Sequence, residues 1–213
     1  MSKIIYEKQL GYLSALRSEP DDLIKEMEEF ASEKKIPILD WKGAELLEQI
    51  VLIHRPKRVL EIGTAIAYSS IRIARHLRKK GVLDTIEKSK DQIAFASQFI
   101  ERANLNSKIN LIDGDALELM PLLKQKYDLI FLDADKQDYE KLFYYSLMLL
   151  KKRGILFVDN LLWHGYPASK TVPASYAKST KLIRDFNRMF ISQPSLKSAI
   201  FPIGDGIGVG VKD

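Results

Sequence analysis

The amino-acid sequence predicts an α/β fold in which helices cover both faces of a mostly parallel sheet. Five short apolar strand candidates alternate with amphipathic helical stretches between residues 58 and 191, a pattern typical of parallel strands that are buried on both faces. The last two strand candidates are separated only by Gly204 and Asp205, which predict a hairpin turn. The sheet is therefore expected to end in an antiparallel pair.

Helices precede the sheet, and the other elements follow in alternation. Residues 3–35 are predicted to form two helices broken around residues 18–22, and apolar spacing predicts a third helix over residues 40–54. The predicted strands are 58–62, 82–87, 109–113, 128–133, 154–159, 197–203 and 206–213, and the remaining helices are 68–79, 89–103, 115–125, 138–151 and 175–191. We expect one domain over residues 1–213, with 1–35 as a helical extension and 36–213 as the core.

Composition restricts the classes of site and partner. The chain contains no cysteine, which excludes disulfides and thiolate metal sites. The N-terminal segment lacks the pattern of a signal peptide, and no apolar stretch approaches the ~20 residues that span a bilayer, so we expect a cytoplasmic protein without a membrane partner. The net charge is +5, and residues 161–190 alone carry +4. This surplus suits either an anionic partner or a solvated surface.

Acidic side chains stand at or near the ends of five predicted strands. Ligands of open α/β sheets bind beyond the carboxyl ends of the strands. A single acid there can simply cap a helix or begin a turn, whereas a series of five favours a binding site. The acids expected along this rim are Glu61, Glu87, Asp113 or Asp115, Asp133 and Asp159.

The first strand-to-helix turn predicts a nucleotide-like cofactor without a pyrophosphate. The dinucleotide fingerprint would place glycines at positions 63, 65 and 68, but this chain has Gly63, Ala65 and Tyr68. Glu87 lies 24 positions beyond Gly63, near the spacing of an acid that binds ribose hydroxyls. A cofactor with a ribose and no phosphate indicates S-adenosylmethionine.

Five segments together resemble the metal-dependent class I O-methyltransferases, the family that includes catechol and caffeoyl-coenzyme A methyltransferases. They are VLEIGTAIAYSS, TIEKS, GDALE, IFLDADKQDY and FVDNLLWHG, in the family's order and spacing. The resemblance runs from about residue 35 to the C-terminus. It implies a Rossmann-like class I methyltransferase fold, with a seven-stranded sheet whose last strand is antiparallel. It also implies a homodimer, which the apolar faces of the N-terminal helices favour.

The resemblance assigns roles to individual residues of this chain. Asp133, Asp159 and Asn160 match the family's metal ligands, Lys136 matches its catalytic lysine, and Asp133 is also expected to take part in catalysis and in the cofactor site. The other cofactor positions are Glu87 for the ribose, Gly63 and Ser69 for the methionine end, Gly114, Asp115 and Ala116 for the adenine side, and the backbone of Leu39. Ala67 stands where the family usually has glycine, which costs stability if that position needs a positive φ.

Three hypotheses for function follow. Two carboxylates and one amide oxygen suit Mg²⁺, which would lower the pKa of a hydroxyl that has a neighbouring oxygen, while Lys136 takes its proton or stabilises the oxyanion. The segments LEIGTAIAYSSIR, DNLLWHG and IFPIGDGIGVGVKD more closely resemble bacterial enzymes that methylate 5-hydroxyuridine at the tRNA wobble position, giving 5-methoxyuridine. We therefore predict tRNA as the substrate. The alternatives are a small catechol or phenol and, in another class, a binding protein without turnover.

Overall fold

The computed structural model describes residues 7–17 and 21–213. The chain divides into two compact units, and the boundary in the sequence lies between Ile36 and Pro37. The first unit contains helices α1 (Glu7–Leu16) and α2 (Asp22–Lys34). Asp21 caps α2 by accepting a hydrogen bond from the amide of Ile24 at 3.1 Å. The two predicted helices are thus confirmed within the described residues, while residues 1–6 and 18–20 lie outside them. The prediction of a single domain stays a prediction.

The second unit is built on a seven-stranded sheet. Its strands are β1 (Arg58–Ile62), β2 (Val82–Glu87), β3 (Ile109–Asp113), β4 (Tyr127–Leu132), β5 (Leu150–Val158), β6 (Leu196–Phe201) and β7 (Ile207–Lys212). Their order is β3-β2-β1-β4-β5-β7-β6, and only the pairs that involve β7 are antiparallel. The predicted α/β fold with an antiparallel last strand is confirmed.

Helices surround this sheet. They are α3 (Trp41–His54), α4 (Tyr68–His76), α5 (Lys90–Arg102), α6 (Ala116–Leu119), α7 (Tyr139–Leu149) and α8 (Ala174–Ser192). Aromatic side chains from α7 and α8 pack edge to face, with ring centroids 5.1 Å apart for Tyr139 and Phe186 and 5.5 Å apart for Phe143 and Phe186. This buried cluster fixes the start of α7 at Tyr139, three residues after Lys136.

Two predicted boundaries differ from the structure by four residues or more. The helix predicted over 115–125 ends at Leu119 and continues only as a 3-10 turn over Met120–Leu122, because Pro121 has no amide hydrogen to donate to a further helical turn. The strand predicted to begin at residue 154 begins at Leu150, which pairs with Tyr127 across a register irregularity. The polar residues Lys151–Arg153 hid this extension from an apolar pattern.

The register of the central strands places three loops side by side. Ile62 pairs with Leu132, and Leu132 pairs with Val158. The residues that follow these three strand ends therefore lie together at one edge of the sheet. The amide of Asp133 donates to the Ile62 carbonyl at 3.0 Å, and the amide of Asp159 donates to the Leu132 carbonyl at 3.2 Å. Among the described residues, no helix is long and apolar enough to cross a membrane.

Candidate active site

A cavity of about 590 Å³ lies at the carboxyl edge of the sheet, a size typical of small-ligand sites. Its walls bring together most of the residues that the sequence singled out. Nine of them line it: Gly63, Glu87, Gly114, Asp115, Ala116, Asp133, Lys136, Asp159 and Asn160. Gln92, Trp163, His164 and Asp205 are also in its walls, and sequence analysis did not select them.

Two carboxylates and an amide oxygen converge at one end of this cavity. Asp159 is buried, and both burial and the charge of Asp133 raise its pKa to about 8. Burial also raises the pKa of Asp133, against the lowering effect of Lys136. Burial is the first cause of both shifts, and the charge of Asp133 adds to the shift of Asp159, so a bound divalent cation would favour the ionised form of both carboxylates.

The donor set fits Mg²⁺ better than zinc. Within residues 7–17 and 21–213, no group of three or more His, Cys, Asp or Glu side chains could hold a metal ion. The third donor at this site is instead the amide oxygen of Asn160, next to the carboxylates of Asp133 and Asp159. Oxygen-only sets with few protein ligands are typical of Mg²⁺ sites.

Lys136 is held over this end of the cavity by three acceptors. Its ammonium donates to Asn160 Oδ1 at 2.5 Å, to the Tyr139 hydroxyl at 2.6 Å and to the Ala134 carbonyl at 3.2 Å. It lies 3.7 Å from Asp133 Oδ1. Burial lowers the pKa of Lys136, and the neighbouring acids oppose that effect. A lysine with a lowered pKa is suited to accept a proton from substrate.

Tyr139 holds Lys136 by a hydrogen bond, and it was not predicted as a site residue from the sequence. Its ring is buried, and its hydroxyl accepts from Lys136 while donating to the Asp159 carbonyl at 3.0 Å. One side chain thus connects the lysine to the end of β5. The available signal was closeness in the sequence, because Tyr139 lies three residues after Lys136, but an aromatic ring in a predicted helix is usually a core residue.

The first turn is shaped by backbone that only small residues accommodate. A Cβ atom on Gly63, where φ is 94°, would lie 1.9 Å from the Asp133 carbonyl oxygen, so glycine is required there. Ala67 has a φ of 68°, and such a positive φ is unfavourable for alanine compared with glycine. Ala65 has a φ of 48°, and its amide donates to Glu87 Oε2 at 2.9 Å.

Glu87 and the turn after β3 form the other end of the cavity. Glu87 Oε1 accepts from the amides of Lys88 at 3.0 Å and Ser89 at 2.9 Å, which fixes its carboxylate at the cavity wall. Gly114 has a φ of 151° and donates its amide to the Glu87 carbonyl at 2.9 Å. Asp115 lines the cavity and also caps α6 through the Leu117 amide at 2.8 Å.

One acid expected along the rim, Glu61, lies elsewhere. Glu61 is fully buried behind the first turn, where it accepts hydrogen bonds from Ser69 at 2.5 Å, from Thr85 at 2.6 Å and from Ser70. Burial raises the pKa of Glu61 to about 7. Its side chain faces the start of α4 because residues 61 and 62 point to opposite faces of the strand.

Of the alternatives Asp113 and Asp115, it is Asp115 that lines the cavity, since Asp113 pairs with Lys90 at the surface. Two predicted cofactor residues are also absent from the cavity wall. Ser69 donates its hydroxyl to Glu61, and Leu39 is buried beside Gly43. Their cofactor roles stay predictions.

Aromatic rings extend from the cavity wall towards the surface. Trp163 and His164 lie 5.0 Å apart between ring centroids, His164 and Tyr176 lie 5.5 Å apart, and Tyr166 and Tyr176 lie 5.1 Å apart. Trp163 and His164 line the cavity, whereas Tyr176 is exposed. We call Trp163 and His164 the aromatic wall.

Three of the basic side chains in residues 161–190 make contacts within the fold. Arg184 donates to the backbone carbonyls of Tyr166, Pro167 and Ser169. Lys181 pairs with Asp185 at 2.9 Å, and Arg188 lies 3.7 Å from the same carboxylate. These contacts leave the net charge of the segment at +4, because that sum already counts Asp185, and an anionic partner stays a prediction.

Comparison with known proteins is consistent over nearly the whole chain. The family model described as O-methyltransferase matches residues 14–212. A catechol O-methyltransferase from Niastella koreensis is 29% identical, over 100% of this chain and 96% of its own length. A caffeoyl-CoA O-methyltransferase from Populus kitakamiensis is 26% identical, over 94% of this chain and 90% of its own. An O-methyltransferase from Bacillus cereus, solved with S-adenosylhomocysteine (SAH), has a TM-score of 0.85 and 26% identity, over 95% and 96% of the two chains.

Proposed function

The chain belongs to the O-methyltransferase family and is an S-adenosylmethionine-dependent O-methyltransferase of the catechol and caffeoyl-CoA type, and we propose that it methylates a hydroxyl of a small catechol-type molecule with the help of a divalent cation. One observation carries the proposal: the oxygens of Asp133, Asp159 and Asn160 converge beside Lys136 in one cavity. Two adjacent substrate oxygens could complete such a donor set.

The residues divide the chemistry between them. Asp133, Asp159 and Asn160 would hold Mg²⁺, which when bound lowers the pKa of a substrate hydroxyl and fixes its orientation. S-adenosylmethionine supplies the methyl group as a sulfonium. Lys136 lies at the same end of the cavity, and its neutral amine, which burial favours, would accept the hydroxyl proton at Nζ. Trp163 and His164 would exclude water from one face of the substrate's aromatic ring and would orient that ring. Most of the acceleration in such a methyl transfer comes from positioning.

The cofactor would occupy the opposite end of the cavity. Glu87 would bind the ribose hydroxyls with the lone pairs that the amides of Ala65, Lys88 and Ser89 leave open. Replacing Glu87 with alanine removes these acceptors and also leaves three amides without their partner. We expect Glu87→Ala to weaken S-adenosylmethionine binding by roughly 1–3 kcal/mol. Isothermal titration calorimetry measures this change, and an unchanged affinity would mean that other groups hold the ribose.

A second candidate substrate is 5-hydroxyuridine in tRNA, the substrate that the sequence predicted. The specific observation in its favour is the row of rings from Trp163 to the exposed Tyr176, with Lys170 and Lys178 exposed in the same segment. Aromatic rings beside cations are typical of sites for splayed single-stranded RNA. The relatives described above carry the names of catechol and caffeoyl-CoA enzymes, which is why the small-molecule substrate is preferred.

One assay distinguishes the two candidates. Purified protein with Mg²⁺ and S-adenosylmethionine is given either catechol or tRNA that contains 5-hydroxyuridine, across a salt series, and methylated products are quantified by mass spectrometry. We expect catechol turnover that changes little with salt. Turnover of tRNA alone would overturn the proposal, and its rate should then fall with salt, by about 0.7 in log–log slope for each phosphate contact. Lys178→Glu with Lys181→Glu should impair only the tRNA reaction.

Homodimer formation and a cytoplasmic location stay predictions. Light scattering at micromolar concentration checks the first, because a monomer would have a mass of 24.4 kDa.

A further inference from the structure

The loop that follows β5 has an unusual backbone. Asn160, Trp163 and His164 have φ angles of 62°, 38° and 56°, in a region that costs a residue with a Cβ atom roughly 1–2 kcal/mol. Such conformations persist only where surrounding structure over-determines them. This loop carries a predicted metal ligand and the whole aromatic wall, so whatever holds it also sets the shape of the substrate end.

The turn between β6 and β7 holds this loop by three hydrogen bonds. The amide of Leu161 donates to the Gly206 carbonyl at 2.8 Å, and the amide of Leu162 donates to the Asp205 carbonyl at 2.8 Å. The third bond is made by a side chain, since the amide of His164 donates to Asp205 Oδ1 at 2.6 Å. It is the bond that acts directly on the aromatic wall.

The two segments also approach too closely for larger residues at the turn. Gly206 has a φ of 91°, and a Cβ atom there would lie 2.5 Å from the backbone nitrogen of Leu162. Asp205 itself lines the cavity and is only partly exposed. The turn is thus packed against the loop at backbone level, and the Asp205 carboxylate stands at the rim of the site.

We propose that Asp205 is a positioning residue for substrate, which fixes the aromatic wall by accepting the His164 amide. This inference rests on the proposed function for its choice of substrate. Asp205 has no assigned role in metal or cofactor binding, and one of its oxygens is already used by backbone. Its contribution is therefore the geometry of the surface against which the substrate ring packs.

The competing explanation is that Asp205 acts through its charge. Its carboxylate is near enough to Lys136 and Asp159 to raise the pKa of both. Asparagine separates the two explanations, because its amide oxygen can still accept the His164 amide but carries no charge. Alanine removes both contributions. Asp185→Ala is the matched control, since it deletes an exposed carboxylate that pairs with Lys181 and Arg188 on α8.

The first measurement does not depend on activity. Amide hydrogen exchange, followed by NMR, should show the His164 amide of the wild-type protein exchanging at least tenfold more slowly than an unprotected amide, although His164 is exposed. Asp205→Ala should remove this protection, and Asp205→Asn should keep it. A wild-type His164 amide that exchanges freely would overturn the inference even if no variant folds.

The second measurement is the kinetics with catechol, Mg²⁺ and S-adenosylmethionine. Asp205→Ala should raise KM for catechol roughly tenfold and change kcat by less than about threefold, while the Kd of SAH stays the same. Asp205→Asn should restore KM to within about twofold. An asparagine variant as impaired as the alanine variant would assign the effect to charge and refute the positioning role.

The outcomes separate this inference from the proposed function. If the wild-type enzyme does not methylate catechol, the choice of substrate is wrong, but the exchange measurement still decides whether Asp205 fixes the loop. If catechol is methylated and Asp205→Ala changes neither exchange nor KM, the proposed function stands and the role of Asp205 is refuted.

Discussion

Replacing Lys136 with methionine is expected to lower kcat for O-methylation by roughly 10²–10³-fold, the scale on which a positioned general base contributes. Methionine keeps most of the apolar stem but cannot accept a proton or donate to Asn160 and Tyr139. Because Lys136 lies beside Asp133 and Asn160 and not at Glu87, the Kd of SAH should stay within about twofold. Steady-state kinetics and calorimetry measure the two effects.

Arginine at the same position separates two roles for the lysine. Arginine stays charged at any working pH, so it can stabilise an oxyanion but cannot take a proton. We expect Lys136→Arg to be nearly as impaired as Lys136→Met, and substantial activity in the arginine variant would assign Lys136 to oxyanion stabilisation. Lys141→Met is the control, since Lys141 is exposed on α7, five residues further along. Thermal unfolding shows whether each variant folds.

The sequence predicted which residues lie together best where their position depends on strand ends. Asp133 and Asp159 could be placed together because each follows an apolar strand, and parallel strands end at the same edge of a sheet. Glu61 was misplaced because it lies one residue before its strand ends, and the alternation of side chains turns it towards Ser69 and Ser70. A shift of one residue thus separates a cavity residue from a buried one.

Contacts between segments far apart in the chain could not be predicted in the same way. The loop from Asn160 to Gly165 gave no periodic signal, and its left-handed residues are stabilised by Asp205, about forty positions later. Tyr139 was hidden for a related reason, since its burial suits a core ring and only its hydroxyl contacts the site. The positive charge of residues 161–190 was visible, but the pairing of Lys181 and Arg188 with Asp185 was not.

The raised pKa of Asp159 leads to a further expected result at the proposed metal site, in which stability and activity change in opposite directions. The pKa of Asp159 is about 8 in the folded, metal-free protein, against an ordinary value of 3.8. Between these values the unfolded chain binds fewer protons than the folded protein at this group, so the free energy of unfolding falls as pH rises. Asparagine at position 159 keeps the volume and cannot ionise.

We therefore expect metal-free Asp159→Asn to be more stable than the metal-free wild-type protein at pH 8, by roughly 1–3 kcal/mol, and to be nearly inactive, with kcat lowered on the order of 10³-fold.

Wild-type protein should lose activity in excess EDTA and gain stability when Mg²⁺ is added, since an ion that binds only the folded state stabilises it. Asp159→Asn should show little of that gain, whereas the surface variant Asp185→Asn should respond like the wild type. Denaturant unfolding at pH 6 and pH 8, with and without Mg²⁺, measures all of these differences. Full activity of metal-free protein in EDTA, or equal stabilisation of both proteins by Mg²⁺, would show that Asp133, Asp159 and Asn160 do not form a metal site.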